Sequence, residues 1–343
     1  MESTTQTIKA QWDAFKEQNP KVRIRDAAKK LGVSEADLLN TGIGVNVVRL
    51  SNRFAELLQE ANTLGKVMAL TRNDYCVHER KGIYKKATFN GQVGLVVTPD
   101  IDLRLFMSHW AFGFAVNEAE RHSLQFFDQS GVAVHKIYLV EDSDVQAYHN
   151  LVNKYKSEDQ RETLTIVPAS APSAELPDSQ INISGFQEGW RALQDTHDFH
   201  PLLKKYQLTR TQALRLAPTD YAQKIDVSDL KLLLKNAAAV EQEIMVFNGS
   251  SGCIQIHTGP IVNLVETGPW FNVLDPDFNM HLRLDGIDTV WLVKKPTSDG
   301  WVHSIEVFDK EGNTIVQFFG KRKPGIPESE GWRGLITKSI GNN

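Results

Sequence analysis

GWRALQDTHDFHPLLKKYQLTRTQAL, residues 189–214, is the stretch from which the rest of the chain can be ordered. Residues three and four apart share a helix face, so a helix opening near Gly189 turns Trp190, Leu193 and His197 to one side. That side predicts an inward face, and a histidine stands where the spacing asks for an apolar residue. Pro201 has no N–H to donate and disfavours helical geometry at His200, so it ends this helix or opens the next. His197 then falls in the final turn, where the negative end of the helix dipole favours a cation or metal partner by about 0.3–1 kcal/mol. A lone histidine on an apolar face is more often a hydrogen-bonded core residue than a ligand, and the stretch by itself leaves both roles open.

Working outward from Trp190, a second copy of the pattern appears. Trp190 follows Trp12 by 178 residues, Cys253 follows Cys76 by 177, and Gly259 follows Gly82 by 177. Pro276-Asp277 follows Pro99-Asp100 by 177, Leu282-Arg283-Leu284 follows Leu103-Arg104-Leu105 by 179, and Phe308-Asp309 follows Phe127-Asp128 by 181. The slow drift is what loop insertions cause, so the chain is a duplication. In the first copy residues 10–40 read as helical with Ser34 as an N-cap, and 51–64 as a further amphipathic helix. From Lys66 to Leu139 short alternating strands follow, broken by turn residues, as in an antiparallel sheet. The predicted fold class is α+β, a tandem duplication in which each half is a helical segment followed by a large antiparallel β-sheet. Its parts are an N-terminal repeat (1–153), a connection (154–187) rich in Pro, small and charged residues, and a C-terminal repeat (188–343). Cys76 and Cys253 open equivalent strands and are expected in the core. The first-half counterpart of His197 is Asn19, so the repeat does not itself require a histidine there.

Composition narrows the classes. At 343 residues the chain exceeds the size at which one core keeps growing. Its 41% hydrophobic and 23% charged residues are those of an ordinary globular protein. A formal charge of −4 gives no global pull toward nucleic acid or anionic lipid. The N-terminus lacks a signal-type apolar stretch, and there is no apolar run of about 18 residues, so a cytoplasmic protein that is not membrane-embedded is expected. Two cysteines without a CxxC exclude a thiolate zinc cluster or a disulfide framework, and the ten histidines show no HExxH spacing. IRDAAKKLGVSEADLL (24–39) is similar to a helix-turn-helix, with Lys29, Lys30 and Asn40 on the presumed reading surface. A packed helix pair at the domain edge accounts for it better, so a DNA-binding regulator stands as a remote alternative and no specific nucleic-acid partner is expected.

No Walker sequence, dinucleotide fingerprint or hydrolase nucleophile motif occurs. Cations and aromatics gather instead. Arg210 follows Thr209 at a helix start, KKPTSDG (294–300) forms a cationic loop, and IVQFFGKRKPG (315–325) ends the last strand. Strand alternation puts Gln317 and Phe319 on one face and Phe318 on the other. A histidine, aromatic walls and several cations would suit haem, whose iron takes an imidazole and whose propionates want charge-assisted hydrogen bonds. Spacing alone does not bring these pieces together.

The pieces WRALQDTHDFHPLLKKYQLTRTQAL, EIMVFNGSSGCIQIHTG, VKKPTSDGWVHSIEVFDKEG and IVQFFGKR, with NDYCVHERKG, DLRLF and SLQFFDQSG in the first half, resemble the HemS/ChuS/HmuS family of cytoplasmic haem-utilisation proteins, the hemin-degrading factors. The resemblance runs from Trp12 to Trp332. It implies paired repeats with a haem cleft in the C-terminal half, His197 as axial ligand, and haem contacts from Arg210, Lys295, Gln317, Phe319 and Arg322. It further implies Arg104 over the other haem face, as a candidate distal catalytic group, with His200 and His78 as alternative ligands behind His197. The implied function is binding and trafficking of haem b in haem uptake and iron acquisition, with the haem handed from an inner-membrane importer to a haem oxygenase or other acceptor. The alternative is a haem-degrading, oxygenase-like enzyme that releases iron.

Overall fold

The structure, a computed structural model, describes residues 4–118, 121–160, 163–169, 174–323 and 325–340. The chain forms two compact units. Unit 1 comprises Met1–Arg72, Glu79–Ser170 and Ser250–Gln255; unit 2 comprises Asn73–His78, Ala171–Gly249 and Ile256–Asn343.

The first half of the chain supplies helices α1 (Thr4–Gln18), α2 (Ile24–Leu31), α3 (Glu35–Asn40), α4 (Phe54–Glu60) and α5 (Val145–Tyr155). Its strands are β1 (Val47–Arg49), β2 (Gly65–Arg72), β3 (Cys76–Ile83), β4 (Thr88–Asn90), β5 (Val93–Val97), β6 (Asp102–Phe106), β7 (Phe112–Glu118), β8 (Arg121–Phe127) and β9 (Ala133–Ser143). Within unit 1 the strands run in the order β1-β7-β8-β9-β2 followed by the Glu79–Ile83 part of β3, with β6-β5-β4 as a further group. Neighbours pair antiparallel, Leu124 opposite Ala115 and Ile137 for example. Every second residue of β2 is buried, Val67, Ala69 and Thr71, as a sheet with one face on a core requires. Leu57, Leu58 and Leu64 close that core from the helical side.

The second half repeats the order with α6 (Ile183–Arg191), α7 (Phe199–Tyr206), α8 (Arg210–Arg215), α9 (Val227–Ala239) and α10 (Glu330–Ser339). Its strands are β10 (Ala222–Ile225), β11 (Ile244–Gly249), β12 (Cys253–Gly259), β13 (Leu264–Thr267), β14 (Trp270–Leu274), β15 (Phe278–Arg283), β16 (Thr289–Thr297), β17 (Gly300–Phe308) and β18 (Thr314–Gly320). Within unit 2 they run β10-β16-β17-β18-β11 followed by the Ile256–Gly259 part of β12, with β13-β14-β15 as the further group. The fold is therefore α+β and duplicated. No described helix is long and apolar enough to cross a membrane.

One detail differs from the sequence reading, and one of its remote alternatives falls. Helix α6 opens at Ile183, inside the stretch assigned to the connection. The helix-turn-helix pair is a packing device: α3 has Glu35, Ala36, Leu38, Leu39 and Asn40 buried, which leaves it no face for a DNA groove. Gly32, with φ 69, joins α2 to α3, and Ser34 closes a capping box with Asp37. The same pair recurs as α7 and α8, joined through Gln207 at φ 56 with Thr209 as N-cap.

One feature had no sequence signal. Asn73–His78, in the first half of the sequence, belongs to unit 2, and Ser250–Gln255, 177 residues further on, belongs to unit 1. Each segment is built into its unit. In unit 1 Trp110 Nε1 donates to Gly252 O at 2.9 Å and Cys253 lies in the core. In unit 2 Asn73 Nδ2 donates to Asn248 Oδ1 and to Ile315 O, both at 2.8 Å, and Cys76 lies in the core.

Candidate functional site

The site is assembled on unit 2 from the stretch 189–214 and the sheet beneath it. Trp190, fully buried near the end of α6, donates from Nε1 to Lys294 O at 3.1 Å and packs its ring on Phe199 at 4.5 Å between centroids. The helix stops there, because Asp195 offers the backbone another partner. Its carboxylate accepts from His197 N at 2.8 Å, while its own N–H donates to Asp198 Oδ2 at 3.0 Å, a capping box around the 3-10 turn Thr196–Asp198. Helix α7 follows, with Pro201 in its first turn, where no intrahelical N–H bond is forfeited.

This corrects the expected position of His197. It does not close the helix of Trp190 but precedes α7, so the helix end beside it is the positive one, and its side chain is 93% exposed rather than turned inward. Asp195 supplies the negative partner instead: its Oδ1 lies 2.6 Å from His197 Nδ1. The His197 backbone N–H holds the Asp195 carboxyl below its usual range against the opposing effect of burial, helped by the His197 side chain and the charge of Arg322. With Nδ1 so engaged, Nε2 makes no hydrogen bond among the described residues, and the tautomer and ring orientation are set for a ligand at that atom. His200, on the first turn of α7, is also exposed. His78 is fully buried with its ring against Phe278 at 4.8 Å, so it cannot reach iron arriving from outside, and that alternative is withdrawn.

Beneath α7 one face of the sheet collects the other predicted residues. Register places Ser304 opposite Phe319 and Glu306 opposite Gln317, while Lys295 lies on the same face of β16. Phe319 packs on Phe247 at 5.0 Å; Phe318 points the other way into the core. The structure thus brings Arg210, Lys295, Gln317 and Phe319 together, around a residue the sequence did not single out. Glu306, with no exposed side-chain surface, accepts from Arg210 Nε at 2.6 Å, Arg210 Nη2 at 2.8 Å, Lys295 Nζ at 2.8 Å and Ser304 Oγ at 3.1 Å. Both cations lie over the ring of Phe199, Arg210 at 5.4 Å and Lys295 at 4.7 Å. Burial alone would push the Glu306 carboxyl up, but the charges of Arg210 and Lys295 hold it well below its usual range. Burial pulls the Lys295 ammonium down to about 8, with Glu306 opposing and Arg210 adding to the fall.

Lys295 is therefore no member of a solvated loop. It sits in β16 with 4% of its side chain exposed, and the loop proper is the turn at Ser298-Asp299, tied back by Ser298 N to Gln194 O at 2.9 Å. Arg322 follows β18 and adds its charge at Asp195. Arg104 lies in unit 1 on β6, ion-paired to Asp102, opposite Leu95 of a strand whose exposed face is Val93, Leu95 and Val97. Four working residues escaped the sequence reading: Asp195, Phe199, Ser304 and Glu306. Their signals were faint but present, a carboxylate two residues before the histidine and an isolated acid within the apolar alternation of WVHSIEVF.

Fold and site define a tandemly duplicated α+β protein whose second half sets an outward histidine beside a cluster of cations. The chain belongs to the haemin-degrading HemS.ChuX domain family, whose model matches residues 32–155 and again 207–339. It is 38% identical to the hemin transport protein HemS of Yersinia enterocolitica over 97% of each chain. Among solved structures it is similar to holo-PhuS, a heme-binding protein from Pseudomonas aeruginosa, with TM-score 0.95 and 48% identity over 98% of this chain and 99% of that one. It is similar also to the heme degrading enzyme ChuS of Escherichia coli O157:H7, with TM-score 0.90 and 34% identity over 98% and 100% of the two chains.

Proposed function

We propose that this chain binds haem b on unit 2, with His197 as axial ligand, and acts as a cytoplasmic carrier in haem uptake and iron acquisition. The observation that carries the reading is the His197 pair: an imidazole exposed at Nε2 and oriented from behind by Asp195 at 2.6 Å. The surroundings fit the cargo. Phe319 and Phe247 offer an apolar wall and Arg210 a cation for a propionate, while Arg322 borders the histidine. Arg104 is assigned to the distal haem face on family resemblance. An exposed axial histidine suits a carrier, because release to an acceptor must remain open; an inner-membrane importer as donor and a haem oxygenase as acceptor fit that role.

Haem titration tests it. The wild type should show a Soret band of six-coordinate iron, and His197→Ala should lose that spectrum and bind at least roughly tenfold more weakly, with His200→Ala close to wild type. An unchanged band and affinity in His197→Ala would overturn the assignment.

Degradation is the second reading, favoured by the similarity to the heme degrading enzyme ChuS. Haem supplied with an electron donor under catalase separates the two. Sustained conversion to one tetrapyrrole with iron release marks an enzyme; a stable spectrum with transfer to a haem oxygenase marks a carrier.

A further inference from the structure

We propose that Glu306 is a positioning residue that holds Arg210 with its outer N–H edge toward a carboxylate of the bound ligand, with Lys295 as the buried counter-charge that keeps the cluster cationic. The proposal rests on the reading that unit 2 binds haem, whose propionates are the carboxylates.

The geometry divides the labour among three charged groups. A guanidinium is planar and carries five donors in a fixed fork. Glu306 takes the Nε and Nη2 edge of Arg210 with both oxygens, at 2.6 and 2.8 Å, which leaves Nη1 on the far side; Nη1 makes no hydrogen bond among the described residues. Side-chain exposure is 27% for Arg210, 4% for Lys295 and zero for Glu306, so Arg210 is the member of the cluster that meets solvent. Two cations and one anion leave one positive charge, enough for one carboxylate. Without Lys295, Glu306 would neutralise Arg210; without Glu306, the two cations would repel each other over Phe199 and the fork would lose its anchor.

The first half shows that the fold does not require this arrangement. Glu35 opens α3 as Arg210 opens α8, and Gln125 and Ser123 stand 181 residues before Glu306 and Ser304. There Gln125 Nε2 donates to Ser123 Oγ at 3.0 Å, and Glu35 pairs with buried Lys136. The same frame thus carries the acid on the helix and a glutamine on the sheet in one half, and the cation on the helix and the acid on the sheet in the other.

The test compares haem with haem dimethyl ester, whose propionates carry no charge, by Soret titration at fixed ionic strength. The wild type should prefer haem by about tenfold. Glu306→Gln, which puts the residue of the first half in place, should bind haem about tenfold more weakly and the ester within about twofold of wild type, with the His197 spectrum retained. A Glu306→Gln protein that keeps the wild-type preference, or loses both ligands equally, overturns the proposal. Should that variant not fold, Arg210→Lys decides: it keeps the charge but has no fork, and an undiminished preference for haem overturns the proposal as well. If the wild type binds acid and ester equally, the Glu306 proposal fails while haem binding stands. If it binds neither, the haem reading itself has failed.

Discussion

At the scale of single residues, the groups that govern the pH response are buried and lie in both halves. His135 in unit 1 is one of them: Tyr84 OH lies 2.5 Å from Nε2, Thr71 Oγ1 lies 2.8 Å from Nδ1, and Thr71 in turn donates to Cys253 Sγ at 3.5 Å. A neutral imidazole satisfies this chain, accepting from Tyr84 and donating to Thr71. Burial lowers its pKa to about 3, whereas an unfolded histidine titrates near 6.5. As pH falls, the unfolded chain takes up the proton first, so stability present at neutral pH is lost from about pH 6.5 downward, by on the order of 5 kcal/mol at the acid end. Urea midpoints at pH 7 and pH 4 should therefore diverge for the wild type and converge for His135→Gln; equal slopes would refute the account. Lys295 acts at the other end. Its folded pKa of about 8 lies below the unfolded lysine value, so the unfolded state holds the proton longer and stability rises with pH between about 8 and 10. Lys295→Met should abolish that rise. Neither position was legible as buried. Lys295 stands in KKPTSDG, where a proline and turn formers dominate the reading, and only the register shows that the strand runs through the proline to Thr297.

At the scale of elements, the helix pair and the turn before it show what periodicity can and cannot give. The apolar spacing of Trp190, Leu193 and His197 is helical, but the local competition of Asp195 for backbone N–H groups wins and ends α6 at Arg191. The histidine was legible as the odd residue, but its exposure was not. If Asp195 orients it, Asp195→Asn should weaken haem binding roughly tenfold while leaving the fold intact, read by Soret titration beside a thermal melt. The pair α2–α3 was visible because Gly32 marks its joint; its copy α7–α8 was not, because Gln207 takes the same left-handed geometry without a glycine. Nothing lies within 4 Å of a Cβ at Gly32, so φ 69 alone decides a substitution there. Gly32→Ala should cost about 1 kcal/mol in urea unfolding, and a neutral result would mean that the joint relaxes.

At the scale of the molecule, the duplication was written in the sequence because its markers are rigid: an anchoring tryptophan, the cysteine that opens a strand, the Leu-Arg-Leu and Phe-Asp pairs. The exchange of Asn73–His78 and Ser250–Gln255 was not, since alternation fixes which face a side chain takes and says nothing of which strand lies alongside. The exchange makes each half of the sequence incomplete as a folding unit. Residues 1–169 alone would lack Cys253 from the core and the Gly252 carbonyl that accepts from Trp110 Nε1. Residues 174–343 alone would lack Cys76 and Asn73, whose Nδ2 donates to Asn248 Oδ1 and Ile315 O. Each buried polar group left unpaired costs about 1–3 kcal/mol, a large share of the 5–15 kcal/mol that holds a domain folded. Neither half should therefore melt cooperatively by itself, and mixing the two in equal amounts should restore a cooperative transition and, through unit 2, the haem spectrum. A first half that unfolds alone with a sharp transition near that of the whole chain would show that the borrowed six residues contribute little, and would leave the exchange as an accident of connectivity rather than a condition of folding.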